Sequence, residues 1–320
     1  MNDKWKLPEP KILFILILIA CAVVAMSIPR FAYVYPDSSY YLDLVSFLSG
    51  TLSGSELTAP FCYRPLLPLI ASVLPFPEEL TFAVVNLIFL VLIGWIIFYM
   101  ALKRNPSPLI ALVTTLAFVV SLMYIFYGAV VLVDPGAVFF LILAYYYMTE
   151  DGASKRIALF LTLGVFFKEV ALIGVLSYLL YARFKEWWLM IPPAGVYAIL
   201  RLVTPSGNPG YVWTFHLQNL TTNLFGTMKT FAYGMGPFLI LLLFAYLLHR
   251  RTLIENGDGK WLISTGLPAL AYLVLGLFFA HFDVRFLWPT YLMIVPLCAD
   301  GVSEVFRFLR LPTGSVTTTE

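Results

Sequence analysis

The chain has 320 residues, 61% hydrophobic and only 12% charged, with 27 Phe, 19 Tyr and 7 Trp, and a mean hydropathy of +0.88. Such a composition excludes a water-soluble globular domain and describes a protein threaded through a membrane many times. The net charge of +2 says less than where the charges sit, and the cysteines Cys21, Cys62 and Cys298 show neither metal-ligand spacing nor a disulfide framework.

Lys4, Lys6 and Lys11 precede an apolar run over 12–28. The run is long for a signal-peptide core and ends without a small-x-small site, so it reads as an uncleaved first span. Residues 29–78 form a first polar loop holding Asp37, Asp43, Glu56 and Arg64, then Pro65–Ile70, an apolar stretch too short to cross. Apolar segments follow at 79–101, 108–127, 134–148, 157–167, 168–182 and 187–204. A second polar stretch over 205–234 carries Trp213, Leu217, Leu220, Leu224, Met228 and Phe231 at three- and four-residue spacing. That periodicity predicts an amphipathic helix over 211–231 lying in the membrane interface. It competes with the glycosylation acceptor pattern Asn219-Leu220-Thr221. Segments 235–249, 261–280 and 286–306 complete the chain. The fold expected is therefore all-α: a polytopic bundle of about ten transmembrane or membrane-embedded helices with juxtamembrane helices on the outer face.

Charge fixes the threading. With the N- and C-termini in the cytoplasm, most Lys and Arg fall on the inner side. Only Arg30, Arg64, Lys168, Arg201, Lys229 and Arg285 are left outside or buried. Reading 157–182 as one long span destroys that asymmetry, so the positive-inside rule selects a hairpin with Lys168-Glu169 at its tip. Its arms of about 16 and 22 Å fall short of a roughly 30 Å hydrocarbon core, so the tip must be packed in protein or line a wet cavity. Asp134-Pro135-Gly136 reads as an N-cap followed by a first helical proline. The helix it starts is about 22 Å long, again with its polar tip below the outer surface.

The ionisable residues left over define the candidate chemistry. Asp37, in Tyr35-Pro36-Asp37-Ser38-Ser39, reads either as a helix cap or as a general base able to take a proton from a hydroxyl. Lys168 and Glu169 either pin the hairpin tip or hold a phosphate, with Lys168 as the point charge. Arg64, in Tyr63-Arg64-Pro65, either snorkels to headgroups or binds a phosphate through its guanidinium fork. His281-Phe282-Asp283-Val284-Arg285 is a tight polar loop, and Arg285 opens a helix where a cation opposes the dipole unless an anion sits nearby. Asp43, His216, His281 and Asp283 are supporting candidates. Three histidines without paired spacing leave no dedicated zinc site.

In order and membrane side, Asp37, Tyr63-Arg64-Pro65-Leu66-Leu67-Pro68, Val133-Asp134-Pro135, Phe167-Lys168-Glu169 and Arg285 with Pro289 resemble the GT-C superfamily of integral-membrane glycosyltransferases. That superfamily includes protein O-mannosyltransferases and aminoarabinose transferases. The resemblance runs from about residue 11 to 300. It implies a conserved seven-span module over 1–204 and a variable membrane region over 205–320. It also implies a sugar donor carried on a polyprenyl phosphate and inversion at the anomeric carbon. Asp37 then looks like the residue that activates the acceptor; Arg64, Lys168 and Arg285 look like donor-phosphate ligands, with Asp134 shaping the pocket. Many members carry two adjacent acidic residues in the first loop. Here Asp37 is followed by two serines and Asp43 stands further on, so no cofactor is required and a divalent metal is only an option. The expected partners are a polyprenyl-phosphate-linked sugar, an acceptor that is a lipid, glycan or protein, and membrane lipids, with no nucleic acid. The expected location is the cytoplasmic membrane, with the site facing outward. Two other readings remain: a transporter or flippase for a lipid-linked sugar, and a non-catalytic lipid-binding subunit.

Overall fold

A computed structural model describes residues 9–121, 130–150, 154–208, 216–248, 258–278 and 284–311. Among these, the chain is predominantly helical and carries no β-strand. The helices are α1 (Pro10–Ser27), α2 (Ser38–Leu48), α3 (Leu66–Val73), α4 (Glu78–Arg104), α5 (Pro108–Val119) and α6 (Asp134–Met148). They are followed by α7 (Ser154–Phe167), α8 (Leu172–Tyr181), α9 (Ile191–Val203), α10 (Leu217–Leu248), α11 (Asp258–Leu277) and α12 (Trp288–Phe308).

Local chemistry explains the element ends. Glu78 and Glu79 open α4 and Lys103 and Arg104 close it, each charge opposing the helix macrodipole. Ser107 caps α5 by accepting from the Ile110 N–H, with Pro108 in the first turn. Lys168 is extended (φ −166°, ψ 145°), which ends α7. A 3₁₀ turn, Glu169–Ala171, leads into α8. The hairpin expected at this point is present: Gly174 lies under Leu161, and Gly164 lies against Ala171. Gly136 does the same for α6, where a Cβ would overlap the Phe167 ring.

One expectation needs correction. About ten membrane helices were expected; among the described residues, only Pro10–Arg30, Glu78–Arg104, Gly259–Leu277 and Arg285–Phe308 are long and apolar enough to cross a membrane. Others are short, among them α6 and α8, each of which begins at a polar tip. α6 (15 residues) and α8 (10 residues) span about 22 and 15 Å against a core of about 30 Å. The amphipathic helix and the segment expected after it are present as the two parts of α10, separate helices that meet at a kink where Gly236 (φ 65°) precedes Pro237. Glycine tolerates that backbone, and proline cannot complete the hydrogen-bond ladder. Residues 211–215 and the Phe231 side chain lie outside the described residues, whereas Leu217, Leu224 and Met228 are exposed. Asn219 and Asn223 turn inward and donate to the carbonyls of Phe278 and Leu277, which favours the helix over the glycosylation reading.

Polar contacts order the two ends of the bundle. Arg285–Asp37, Arg64–Glu169 and Lys168–Asp134 mark one, the site end. Lys103–Glu150, Arg104–Asp300 and Lys260 over the Tyr181 ring mark the other, the basal end. One continuous apolar core joins them, with Tyr41, Phe82, Phe98, Tyr145 and Trp288 among its largest buried side chains. The outer face of α1 exposes Leu13, Phe14, Ile17 and Leu18, as a lipid-facing helix does.

Candidate functional site

The site is assembled by backbone contacts between the first loop and the segment before α6. The Val131 N–H donates to the Tyr33 carbonyl (3.1 Å), and the Ser38 hydroxyl donates to the Val131 carbonyl (2.6 Å). The same hydroxyl accepts from the Tyr35 N–H (2.7 Å). From α4, the buried Asn86 amide donates to the carbonyls of Val130 and Leu132, both at 2.7 Å. Asp37 and Asp134 are thus carried on two strapped segments.

Neither acid does what a helix-start reading gives it. Asp37 precedes α2 but makes no capping bond; its Oδ2 accepts from the Arg285 guanidinium at 2.6 Å. Asp134 is the first helical residue rather than the cap, which is Val133. Its Oδ1 accepts from the Lys168 ammonium at 2.7 Å. Charge pairing with a distant cation has displaced local capping in both cases.

Arg64 follows a 3₁₀ turn (Phe61–Tyr63) and holds Glu169 with two parallel bonds, Nε to Oε2 at 2.9 Å and NH2 to Oε1 at 2.6 Å. Its third nitrogen, NH1, donates to the Tyr41 hydroxyl at 2.6 Å, and its guanidinium lies over the Phe61 ring. This fork-to-fork geometry fixes orientation as well as charge. Burial works against the charge on Arg64, but Glu169 more than offsets it and holds the guanidinium above its ordinary range. Burial also pushes the Tyr41 phenol up, so it stays a neutral donor or acceptor.

Three cations and three carboxylates therefore meet at one end, drawn from the first loop, α6, the hairpin tip and the turn before α12. Asp37 (4% exposed), Arg64 (4%), Asp134 (2%) and Lys168 (7%) are buried. Arg285 and Arg64 both act on Asp134 electrostatically, and Arg285 acts on Lys168, so the pairs form one cluster. Its formal charges cancel, as four buried ions and the two half-buried ones, Glu169 and Arg285, require. One atom is left over: Asp134 Oδ2 is buried without a hydrogen-bond partner among the described residues. A phosphate entering this balanced set takes a cation from one of its carboxylates, and that carboxylate then needs a proton or another donor.

Other expected residues stand apart. Asp43 sits half-buried on α2; burial, then Glu56, raises its carboxyl, and it pairs with none of the six. His216 is exposed at the start of α10, its backbone N–H on the Phe278 carbonyl. His281 and Asp283 lie outside the described residues. Among the described residues, no three His, Cys, Asp or Glu side chains gather as a metal set. Sequence reasoning missed Tyr41, Ser38 and Asn86. Asn86 carried a signal, being a lone amide in an apolar run; Tyr41 and Ser38 carried none beyond their nearness to Asp37. Comparison with protein-family models, curated proteins and solved structures finds no match to this chain.

Proposed function

We propose that the chain is a membrane glycosyltransferase of the GT-C type, moving a sugar from a polyprenyl-phosphate donor to an acceptor hydroxyl. The observation that carries this reading is the meeting of Asp37 and Arg285, 248 positions apart, beside the Lys168–Asp134 and Arg64–Glu169 pairs. The cluster faces the extracytoplasmic side of the cytoplasmic membrane, with the termini and the basal lysines and arginines inside. The short helices join the four long ones as membrane-embedded elements, and 1–204 forms the GT-C-like module.

In the reaction, Asp37 takes the proton of the acceptor hydroxyl as its oxygen attacks the anomeric carbon. The bond from that carbon to the phosphate oxygen breaks on the opposite face, with inversion. The proton ends on Asp37 and the bond's electron pair on the polyprenyl phosphate. That phosphate gains a full negative charge, so Arg64, Lys168 and Arg285 stabilise the transition state more than the bound donor. Protonated Asp37 no longer neutralises Arg285, which then turns to the leaving phosphate.

The test is release of polyprenyl phosphate from isotopically labelled polyprenyl-phosphate sugars, by the wild-type chain and by Asp37→Asn. Wild-type turnover with a loss of about a hundredfold or more in the variant is expected; full activity in a folded Asp37→Asn refutes the base.

A second reading is favoured by the pairing itself: every cation of the cluster already has a carboxylate, as a structural fastening of the hairpin tip requires. On that reading the protein is a non-catalytic membrane subunit. No labelled donor is then consumed, and Asp37→Asn and Arg285→Gln change only thermal stability.

A further inference from the structure

We infer that the basal end carries a binding site for the phosphate headgroup of an anionic phospholipid, separate from the cluster proposed for sugar transfer and independent of that proposal. A cavity of about 450 Å³ there is lined by Lys103, Arg104, Tyr145, Tyr146, Lys260 and Trp261, among others. A second, of about 490 Å³, shares Lys260 and Tyr181 with it and adds Arg183 and Lys185. The cations outnumber the acids. Lys103 is bonded to Glu150 (2.8 Å) and Arg104 to Asp300 (2.6 Å). Lys260 has no carboxylate partner among the described residues; its ammonium lies 3.7 Å from the centroid of the Tyr181 ring.

The Tyr181 ring face attracts the ammonium, while the helix works against it. Lys260 is in the first turn of α11, where the helix dipole repels a cation, and an anion at the same place is attracted by both. The lysine keeps donors to spare, since a ring face takes up charge without accepting all three N–H groups. Lys103 repeats the arrangement from the facing helix, 3.7 Å from the centroid of the Tyr146 ring. Two ammonium groups thus stand at the cavity rim on aromatic faces.

The rest of the lining favours an amphiphile over a free anion. The Tyr145 hydroxyl is taken up by the Ser177 hydroxyl (3.1 Å), and the Trp261 indole N–H donates to the Met293 carbonyl (3.0 Å). With their polar atoms satisfied internally, these rings offer the cavity only apolar surface, joined by Met100, Pro296 and Leu297. A cationic rim over an apolar floor between membrane helices matches a phosphodiester attached to a glycerol and acyl chains.

The full-length protein in detergent, titrated with dioleoylphosphatidylglycerol or dioleoylphosphatidylcholine and read by native mass spectrometry, tests this. Preferential retention of phosphatidylglycerol is expected, weakened about fivefold in Lys260→Gln and roughly thirtyfold with Lys103→Gln added. Lys155→Gln, at an exposed lysine in the first turn of α7 that lines neither cavity, should leave it unchanged. Equal retention of the two lipids, or undiminished retention in Lys260→Gln, overturns the site. Displacement of the lipid by an equal concentration of inorganic phosphate or glycerol 3-phosphate overturns the lipid assignment in favour of a soluble phosphate ligand. If the double variant does not fold, Lys260→Gln alone decides, together with thermal stabilisation of the wild type by phosphatidylglycerol and not by phosphatidylcholine.

Discussion

Removing one charge of the Lys168–Asp134 pair should damage the protein more than removing both. The two side chains are only 8% and 3% exposed, with the ammonium 2.7 Å from Oδ1, so the pair belongs to the buried regime rather than the surface one, where ion pairs contribute about 0–1 kcal/mol. Lys168→Met leaves the Asp134 carboxylate with one oxygen that already lacks a partner and a second that has just lost its own. Asp134→Leu leaves a bare ammonium and removes an acid from the first turn of α6, worth about 0.5 kcal/mol more. Each single change should cost about 3–5 kcal/mol, whereas the double variant, with both charges replaced by apolar groups of similar size, should fall within ~1 kcal/mol of wild type. In detergent the single variants should lose roughly 5–10 °C in Tm by intrinsic tryptophan fluorescence, and the double variant should recover most of it. Single variants as stable as wild type, or a double variant showing the sum of the two losses, would refute a neutralised buried pair.

Glu169→Gln should destabilise less than Asp134→Leu, by about 1–3 kcal/mol, because Glu169 is 21% exposed and Arg64 keeps its bond to Tyr41; Tm in the same series checks the order. Gly136→Ala should lower stability by about 1–3 kcal/mol, since its Cβ would overlap the buried Phe167 ring next to Lys168; Tm and lipid-phosphate binding should fall together. Asn86→Leu deletes the two donors on Val130 and Leu132 and should cost about 2 kcal/mol while also lowering turnover, though Asn86 contacts no ion of the cluster; unchanged kcat would contradict its strapping role. For sidedness, a cysteine at Ser39 should be labelled by an impermeant maleimide from outside intact cells, and one at Lys155 only after permeabilisation. The reverse pattern would invert the proposed orientation.

The hairpin at Lys168 was legible because the positive-inside asymmetry survives only if the chain turns there, and a turn of two short arms forces its polar tip into protein. The gathering of Asp37, Arg64, Asp134, Lys168, Glu169 and Arg285 was legible for the same reason: ions in apolar sequence that share one end must find each other. Their partners were not. Nothing in the spacing ties Arg285 to Asp37 rather than to a bound anion, or Arg64 to Glu169, because pairing across 248 and 105 positions depends on packing between helices. The breaks at Lys168 and ahead of Gly236 were legible too; what was overread is how many of the apolar segments are long enough to cross. An apolar run records what can be buried, whereas Lys168, Gly236 and Pro237 decide where hydrogen bonding stops. Asn86 was the one strapping residue with a visible mark, a single amide inside the 27-residue α4.

The most direct measurement is an experimental structure of the chain with a polyprenyl phosphate bound. The account predicts phosphate density within hydrogen-bond distance of Lys168 and Arg285, with the Arg285–Asp37 bond opened to admit it. A lipid phosphate bound only among Lys103, Arg104 and Lys260, with all three ion pairs of the site end intact, would contradict it.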